Sequence, residues 1–549
     1  MELFGVIKND KVSIFVDEEK VKNNNLFVFI KGKIFNFDEL VKKYKIKVNN
    51  ENELISELYT KDGVSFIDEL DGNFCIIIYD YKINKIFLLR DKLGSEPIYY
   101  YTKDNLFMVS TSLKKLEENE FFVKKINKQA LSNYLGYMYI YEPLTIFEDT
   151  YKVEAGCILC RDSSNIEVNR YFDLAKLYKK TKRLKHVSEE ELINNYTKLF
   201  KKSLLKRGNR NSSVGILMSS GKDSTLLAKL SSMYFHGNIN TYTLGFENER
   251  DESKGANAIA NYIKSNHHLI PLHDKDVLKT IKEMPKYYDE PFADPSIIPS
   301  MYLASNIHDD NDFYITGEGN DAVFLNSSMY NIYNFSKRIK LYVKKLINIY
   351  NHKRVYHNFS EMAQVNILGR FNYSDKITGI KGKVYKLSYV RNRRMRAMIG
   401  DLKHTVPEKY KVKTKSIMKF YNNKCYTPYY DLDVITYLFK TPINKVYKNN
   451  HGKYIFEKVL YKNIPKEYYE KYKKNGFGVP LTVWVKKIML NDIKTLSKKK
   501  TIDKQGLFNY DELTKLILDF EENSDYNKAC VLWCYYIFQL WYQENIEKL

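Results

Sequence analysis

Asp223 and Asp321 each stand in a loop of small residues directly behind an apolar run. Ser219-Ser220-Gly221-Lys222-Asp223-Ser224 follows residues 214–218, and Gly317-Glu318-Gly319-Asn320-Asp321 follows Phe313-Tyr314-Ile315. An apolar run that breaks into small residues and then into a helical pattern reads as strand, tight loop and helix N-terminus. Such an end offers unpaired backbone N–H groups to an anion such as phosphate. An acidic side chain inside a phosphate loop needs a metal between the two charges. Asp223 therefore implies Mg2+ held against a pyrophosphate, with Asp321 as a second ligand. On residues 219–224 alone, a loop that merely caps a helix explains the sequence equally well. A Walker loop is excluded, because Asp223 follows Lys222 where that loop needs Ser or Thr.

These loops require strands to carry them. Strand-like 213–218, helix-like 224–233, strand-like 240–246 and helix-like 254–265 alternate as in a parallel α/β sheet, whose ligands sit at the carboxyl ends of the strands. Thr241-Tyr242-Thr243-Leu244-Gly245-Phe246 supplies a third such end. Residues 1–180 instead hold short strand-like runs separated by turn residues (26–30, 74–79, 85–89, 107–110), which predicts a β-sheet domain. A basic, polar stretch at 179–185 reads as the linker to a second domain over 190–549, parallel-sheet α/β at first and mainly helical beyond about residue 330.

Composition fits this division. With 549 residues, 44% apolar and 15% aromatic, the chain is too long for one core and apolar enough for several. No apolar run reaches transmembrane length and no secretory signal opens the sequence, so a cytoplasmic protein with no membrane partner is expected. Six cysteines do not make a disulfide framework in a chain of this size. The net charge of +22 is spread along the whole sequence, which argues for compositional bias at least as much as for a face that binds nucleic acid, a membrane surface or an acidic substrate. Its densest point is Arg391, Arg393, Arg394 and Arg396, preceded by Lys381, Lys383 and Lys386. That cluster reads as a solvated helix face, or as a dock for an acidic peptide or leader or for a nucleic acid. Cys157 and Cys160 would point to opposite faces of a strand, Cys530 and Cys534 fit a helix core, and His267-His268 fits a strand end.

The ordered set of motifs resembles the asparagine synthetase family. Residues 219–224 are similar to its pyrophosphate loop. Tyr242-Thr243-Leu244-Gly245-Phe246, Asp251-Glu252-Ser253, His267-His268, Asp289-Glu290-Pro291-Phe292-Ala293-Asp294-Pro295-Ser296, Gly317-Glu318-Gly319-Asn320-Asp321, Pro428-Tyr429-Tyr430-Asp431 and Lys474-Asn475-Gly476-Phe477-Gly478-Val479-Pro480 follow in family order. Gly32-Lys33-Ile34-Phe35-Asn36, Leu70-Asp71-Gly72-Asn73-Phe74 and the segment 90–100 resemble its glutaminase domain. The resemblance implies an Ntn-type sandwich followed by an ATP-pyrophosphatase domain.

It also implies ATP and Mg2+ as cofactors and assigns roles. Asp223 and Asp321 would hold Mg2+. Ser219, Ser220, Gly221 and Ser224 would bind pyrophosphate, Leu217, Leu244 and Gly245 would border the adenine, and Gly317 would lie near the ribose. Lys474 would stabilise the phosphate transition state and the later oxyanion, and Glu318 would take a proton from the attacking amine or serve as an ion-pair partner.

Departures narrow the expectation. Family glutaminases use a cysteine exposed after removal of Met1, whereas Glu2 stands here and the first cysteine is Cys75. The glutamine-binding Arg-Gly-Pro-Asp segment is missing, and Lys31 and Lys33 replace an Asn and a Glu. The domain is expected to be degenerate and structural. Ser220 replaces a glycine, Ala322 a glutamate, and Leu325-Asn326 a Gly-Gly pair, so aspartate is not assumed as substrate. An AMP-forming amide ligase without its own ammonia supply is expected. Its partners would be a small-molecule or peptide carboxylate and an amine, as in glutaminase-dead lasso-peptide cyclases. The alternatives are an ammonia-dependent amidation, a non-catalytic scaffold and an RNA-modifying enzyme.

Overall fold

Period-two burial organises the N-terminal part. The computed structural model describes residues 2–8, 11–17, 19–20, 25–163, 165–246, 251–308, 311–326, 370–380, 390, 392–414, 424–472 and 479–547. The chain divides into two units, Met1–Leu131 with Ile140–Lys176, and Ser132–Tyr139 with Leu177–Leu549.

In chain order the strands of the first unit are β1 (Leu3–Lys8), β2 (Lys11–Val16), β3 (Glu19–Lys20), β4 (Leu26–Ile34), β5 (Gly72–Asp80), β6 (Lys85–Arg90), β7 (Tyr99–Lys103), β8 (Leu106–Ser110), β9 (Thr150–Lys152), β10 (Cys157–Asp162) and β11 (Asn165–Arg170). They form two antiparallel sheets, ordered β3-β2-β1-β8-β7-β9 and β11-β10-β6-β5-β4. Cys75, Ile77 and Tyr79 of β5 face a core shared with Leu3, Ile7 and Val109 of the other sheet. The intervening Phe74, Ile76 and Ile78 face a second core with Leu54, Ile55 and Leu58 of the helix Glu51–Asp62. A strand with both faces covered reads as a continuous apolar run, and β5 does.

The second unit holds a parallel sheet of β12 (Val214–Leu217), β13 (Ile239–Phe246), β14 (Asn266–Leu272), β15 (Phe313–Thr316) and β16 (Cys425–Tyr426), ordered β14-β13-β12-β15-β16. The chain builds outward from β12 through β13 to β14, then returns to lay β15 on the other side of β12. The strand order reverses between β12 and β15, and the crevice at such a switch point is where open α/β sheets bind ligands. The loops after these two strands are those that carry Asp223 and Asp321.

The helix after β12 runs Lys222–Tyr234 with Gly221 at its N-cap, so Asp223 lies in the first turn, where the helix dipole favours an anion. The helix Ser253–Ile263 follows β13. Strand β14 carries His267 and His268 at its start, where a strand end is expected from sequence, and the two-residue β16 has no counterpart in the sequence reading. Leu174–Lys180 is helical, taking up the first residues of the expected linker. The last long helix, Tyr526–Tyr542, is buried nearly all round and includes Cys530 and Cys534 in its core. Its Trp533 indole donates to the Ala293 carbonyl at 2.7 Å, fixing the backbone next to Asp294. Among the described residues, no helix is long and apolar enough to cross a membrane.

Candidate active site

The loop after β12 is held by its own side chains. Ser219 N–H donates to Ser224 Oγ at 3.1 Å, Gly221 N–H to Ser219 Oγ at 3.1 Å, and Ser220 N–H to Glu252 Oε2 at 3.1 Å. This corrects the expectation of open N–H groups. Buried donors must be satisfied, and here Glu252 and the serine hydroxyls do so, so an incoming anion has to replace them. The Ser220 hydroxyl, by contrast, is buried with no hydrogen-bond partner among the described residues. Ser220 fits because Gly255 lies opposite. A Cβ on Gly255 would come within 2.7 Å of Ser220 Cβ, so the side chain added at one position occupies space left free at the other.

Asp223 and Asp321 meet at one cation. The Lys453 ammonium donates to Asp223 Oδ1 at 2.6 Å and Oδ2 at 2.7 Å, and stands 2.7 Å from Asp321 Oδ1. Asn320 Nδ2 donates to Asp223 Oδ1 at 2.6 Å, and its own Oδ1 is buried without a partner among the described residues. Gly317 brings the two loops together. A Cβ there would lie 2.9 Å from Asp223 Cβ and 3.2 Å from the Ser224 nitrogen, too close for any other residue without a shift. Lys453 was missed by sequence reasoning. Its only local signal is the break His451-Gly452 before the helix Tyr454–Asn463.

Mg2+ commonly binds through one or two carboxylates together with phosphate oxygens and waters. Two convergent aspartates, an unpartnered amide oxygen and an unpartnered loop hydroxyl fit that ion against a phosphate. Among the described residues no larger cluster of His, Cys, Asp and Glu offers an all-protein metal site.

A second charged cluster lies around Glu318. The buried Lys413 ammonium pairs with the Glu318 carboxylate and donates to Ser296 Oγ at 3.0 Å. Of the two roles expected for Glu318, the ion pair is the one seen. Asp294 lies 3.5 Å from Lys409 Nζ and accepts from Ser296 N–H at 3.1 Å and Ser296 Oγ at 3.0 Å. Burial pushes the Asp294 carboxyl up, but the Lys409 and Lys413 ammoniums and the Ser296 donors outweigh it and hold the group down at about 2.

Aromatic packing supports the Asp223 cluster. Tyr429 stacks edge-on against Phe200 and Phe456, and its hydroxyl donates to the Asp223 carbonyl at 2.8 Å. Lys206 and Arg207 hold Asp431, and the Ser203 hydroxyl donates to the Pro428 carbonyl at 2.6 Å. Leu217 and Gly245 are half-buried at their strand ends, whereas Leu244 is fully buried and presents no surface to a ligand. Lys474, Arg391, Lys381, Lys383 and Lys386 lie outside the described residues. In the basic helix Arg393–Gly400, Arg394 stacks 4.3 Å over the Tyr447 ring and Arg396 donates to the Val390 carbonyl at 2.8 Å, leaving Arg393 exposed. His267 bonds Thr241 and His268 stacks on Tyr242, as ordinary strand residues.

In the first unit the motif residues bond one another. Buried Arg90 pairs with Glu142 at 2.7 Å, and Asp91 accepts from the N–H groups of Leu93 and Ser95 at 3.0 and 2.6 Å. Gly32, at φ +111°, lets β4 approach β5 where a Cβ would sit 2.0 Å from the Asn73 carbonyl oxygen. Cys75 and Cys157 are buried within strands.

Comparison with known proteins completes the picture. The pattern of the asparagine synthase family matches residues 195–543, and that of a glutamine amidotransferase domain matches residues 19–172. A protein of Methanocaldococcus jannaschii named putative asparagine synthetase (glutamine-hydrolysing) 2 is 29% identical over 57% of this chain, and the match spans 61% of that relative's length. The glutamine-hydrolysing asparagine synthetase 1 of Bacillus subtilis is 21% identical over 96% of this chain and 87% of its own. Among solved structures, the glutamine phosphoribosylpyrophosphate amidotransferase from B. subtilis aligns with a TM-score of 0.23 and 9% identity, covering 51% of this chain and 86% of that one.

Proposed function

The chain belongs to the asparagine synthase family, and from that premise we propose that it is an ATP-dependent, AMP-forming amide ligase. It adenylates a carboxylate, releases pyrophosphate and passes the acyl group to an amine, without hydrolysing glutamine itself. The convergence of Asp223 and Asp321 on one cation position beside the loop at 219–224 carries this reading.

ATP, when bound with Mg2+, supplies the electrophilic α-phosphate and a charge-neutralised leaving group. Asp223 and Asp321 would hold the metal. Ser219, Ser220, Gly221 and Ser224 would grip the pyrophosphate, with Leu217 and Gly245 beside the adenine and Gly317 near the ribose. Lys474 would meet the charge developing on phosphate and acyl oxygen. Glu318 would receive the amine proton, with Lys413 setting its position. The catalytic benefit lies in holding charge and geometry fixed before the reaction.

The loss of glutamine hydrolysis is supported by the cysteines of the first unit, which lie within β5 and β10, with Cys75 and Cys157 buried. A peptide or natural-product carboxylate and amine are the favoured substrates, since Ala322 and Leu325-Asn326 depart from the family pattern. An acidic peptide segment would meet the exposed Arg393. The names of the relatives favour aspartate as the carboxylate, and with glutamine hydrolysis lost the second reading is ammonia-dependent amidation of aspartate.

ATP–pyrophosphate exchange screened over candidate carboxylic acids tests the proposal. Exchange should require the correct acid and vanish in Lys474→Ala. Exchange that persists in that variant would remove the site assignment, and glutamate release from glutamine by the pure protein would refute the dead glutaminase.

A further inference from the structure

We propose that Lys453 is a resident counter-ion that keeps a divalent cation out of the Asp223–Asp321 site until a nucleotide triphosphate arrives. The inference rests on the adenylation reading above and adds an order of binding to it. The ammonium stands within 2.7 Å of three carboxylate oxygens, so in the nucleotide-free protein one internal positive charge already bridges the two aspartates and offsets part of their charge. Two facing carboxylates without a cation would repel, and Asp223 is buried, where an unpaired charge is most costly.

The lysine is built into this position. Its backbone lies in the left-handed region at φ 61°, and its N–H donates to the Phe324 carbonyl at 2.8 Å. The preceding Gly452 admits this approach, since a Cβ there would lie 2.2 Å from the Leu325 carbonyl oxygen. Asn320 closes the other side of Asp223.

Mg2+ takes oxygen ligands at about 2.0–2.1 Å. An ion bound to the same carboxylate oxygens would be a close neighbour of the ammonium, and like charges in a buried site repel strongly. Free metal and Lys453 are therefore alternatives. A triphosphate changes the balance, because its negative charges can take over the ammonium while the aspartates turn to the metal. Metal and nucleotide then enter as one complex, and the site does not load with a bare ion that would have to be displaced.

The test uses Mn2+ as the probe and water-proton relaxation as the readout, on the full chain. Nucleotide-free wild type should take up Mn2+ at least tenfold more weakly than Lys453→Gln, and Lys453→Arg should keep the wild-type behaviour. Adding Asp321→Asn to Lys453→Gln should abolish the gained binding, which locates the ion. With a non-hydrolysable ATP analogue, wild type should bind the Mn2+ complex. Wild type that binds Mn2+ without nucleotide, at a site lost in Asp321→Asn, overturns the proposal whether or not Lys453→Gln folds. If wild type takes up no Mn2+ even with the analogue, the adenylation reading falls with it.

Discussion

The Lys413 ammonium joins the Glu318 carboxylate to the Ser296 hydroxyl, so the loop after β15 is tied to the Asp289–Ser296 motif through one buried cation. If Glu318 receives the amine proton, this pair determines where that oxygen stands. Glu318→Gln should slow amide formation by about 10²–10⁴-fold, while ATP–pyrophosphate exchange, which precedes the amine, stays within a few-fold of wild type. Lys413→Met should lower amide formation too, and should cost about 1–3 kcal/mol by urea unfolding, because it strands a partly buried carboxylate. Equal loss of exchange and amide formation in Glu318→Gln would assign the residue to the first half-reaction.

The two aspartates differ in how much of the fold depends on them. The Asp321 side chain is 42% exposed, whereas Asp223 is buried. Asp321→Ala should abolish exchange with a stability change of about 1 kcal/mol or less. Asp223→Ala should abolish exchange and also cost about 3–5 kcal/mol, since it removes the carboxylate that Lys453 and Asn320 hold from two sides. Denaturant unfolding of both variants beside wild type measures the contrast.

Acid should expose the work of Asp294. Its carboxyl is held at about 2 against an ordinary value of 3.8, chiefly by Lys409 and Lys413 acting against burial. A group with a depressed folded value contributes fully above its unfolded value and loses that contribution as pH falls towards the folded one. At about 1.4 kcal/mol per unit, Asp294 contributes about 2–3 kcal/mol above pH of about 4. This share should fade between pH of about 4 and about 2. Urea unfolding of wild type and Asp294→Asn should show a gap at neutral pH that narrows across that window. A gap independent of pH would assign the stabilisation to packing.

Ser220→Gly distinguishes a structural hydroxyl from a ligand-binding one. The hydroxyl is buried without a partner among the described residues, so its removal relieves a penalty of about 1–3 kcal/mol. The added chain freedom of glycine takes back about 0.4–1 kcal/mol. The variant should be as stable as wild type or somewhat more so, yet bind ATP several-fold more weakly by calorimetry. Unchanged ATP affinity would remove Ser220 from the phosphate contacts.

Much of this site was legible in sequence because its parts are local. Each acidic loop follows its strand directly, and the glycines mark where backbones approach. Gly317 against Asp223 is an example. Lys453 and Lys413 were not legible, since each reaches its carboxylate from a distant segment and only the fold brings them together. The closed state of the loop was hidden for the same reason. Glu252, which satisfies the Ser220 N–H, is contributed from beyond β13. Strand β16 was hidden by its length, because two residues show no period, and Ser132–Tyr139 carries no local sign that it groups with the second unit.

The bond from Trp533 to the Ala293 carbonyl has a consequence for biosynthesis. The segment bearing Asp294 is anchored by a residue 240 positions further along the chain, so it is secured only after residues 526–542 have left the ribosome. Until then the nascent polypeptide has its two acidic loops but not the anchored segment that bears Asp294. The order of synthesis thus places this anchoring after both acidic loops have been made.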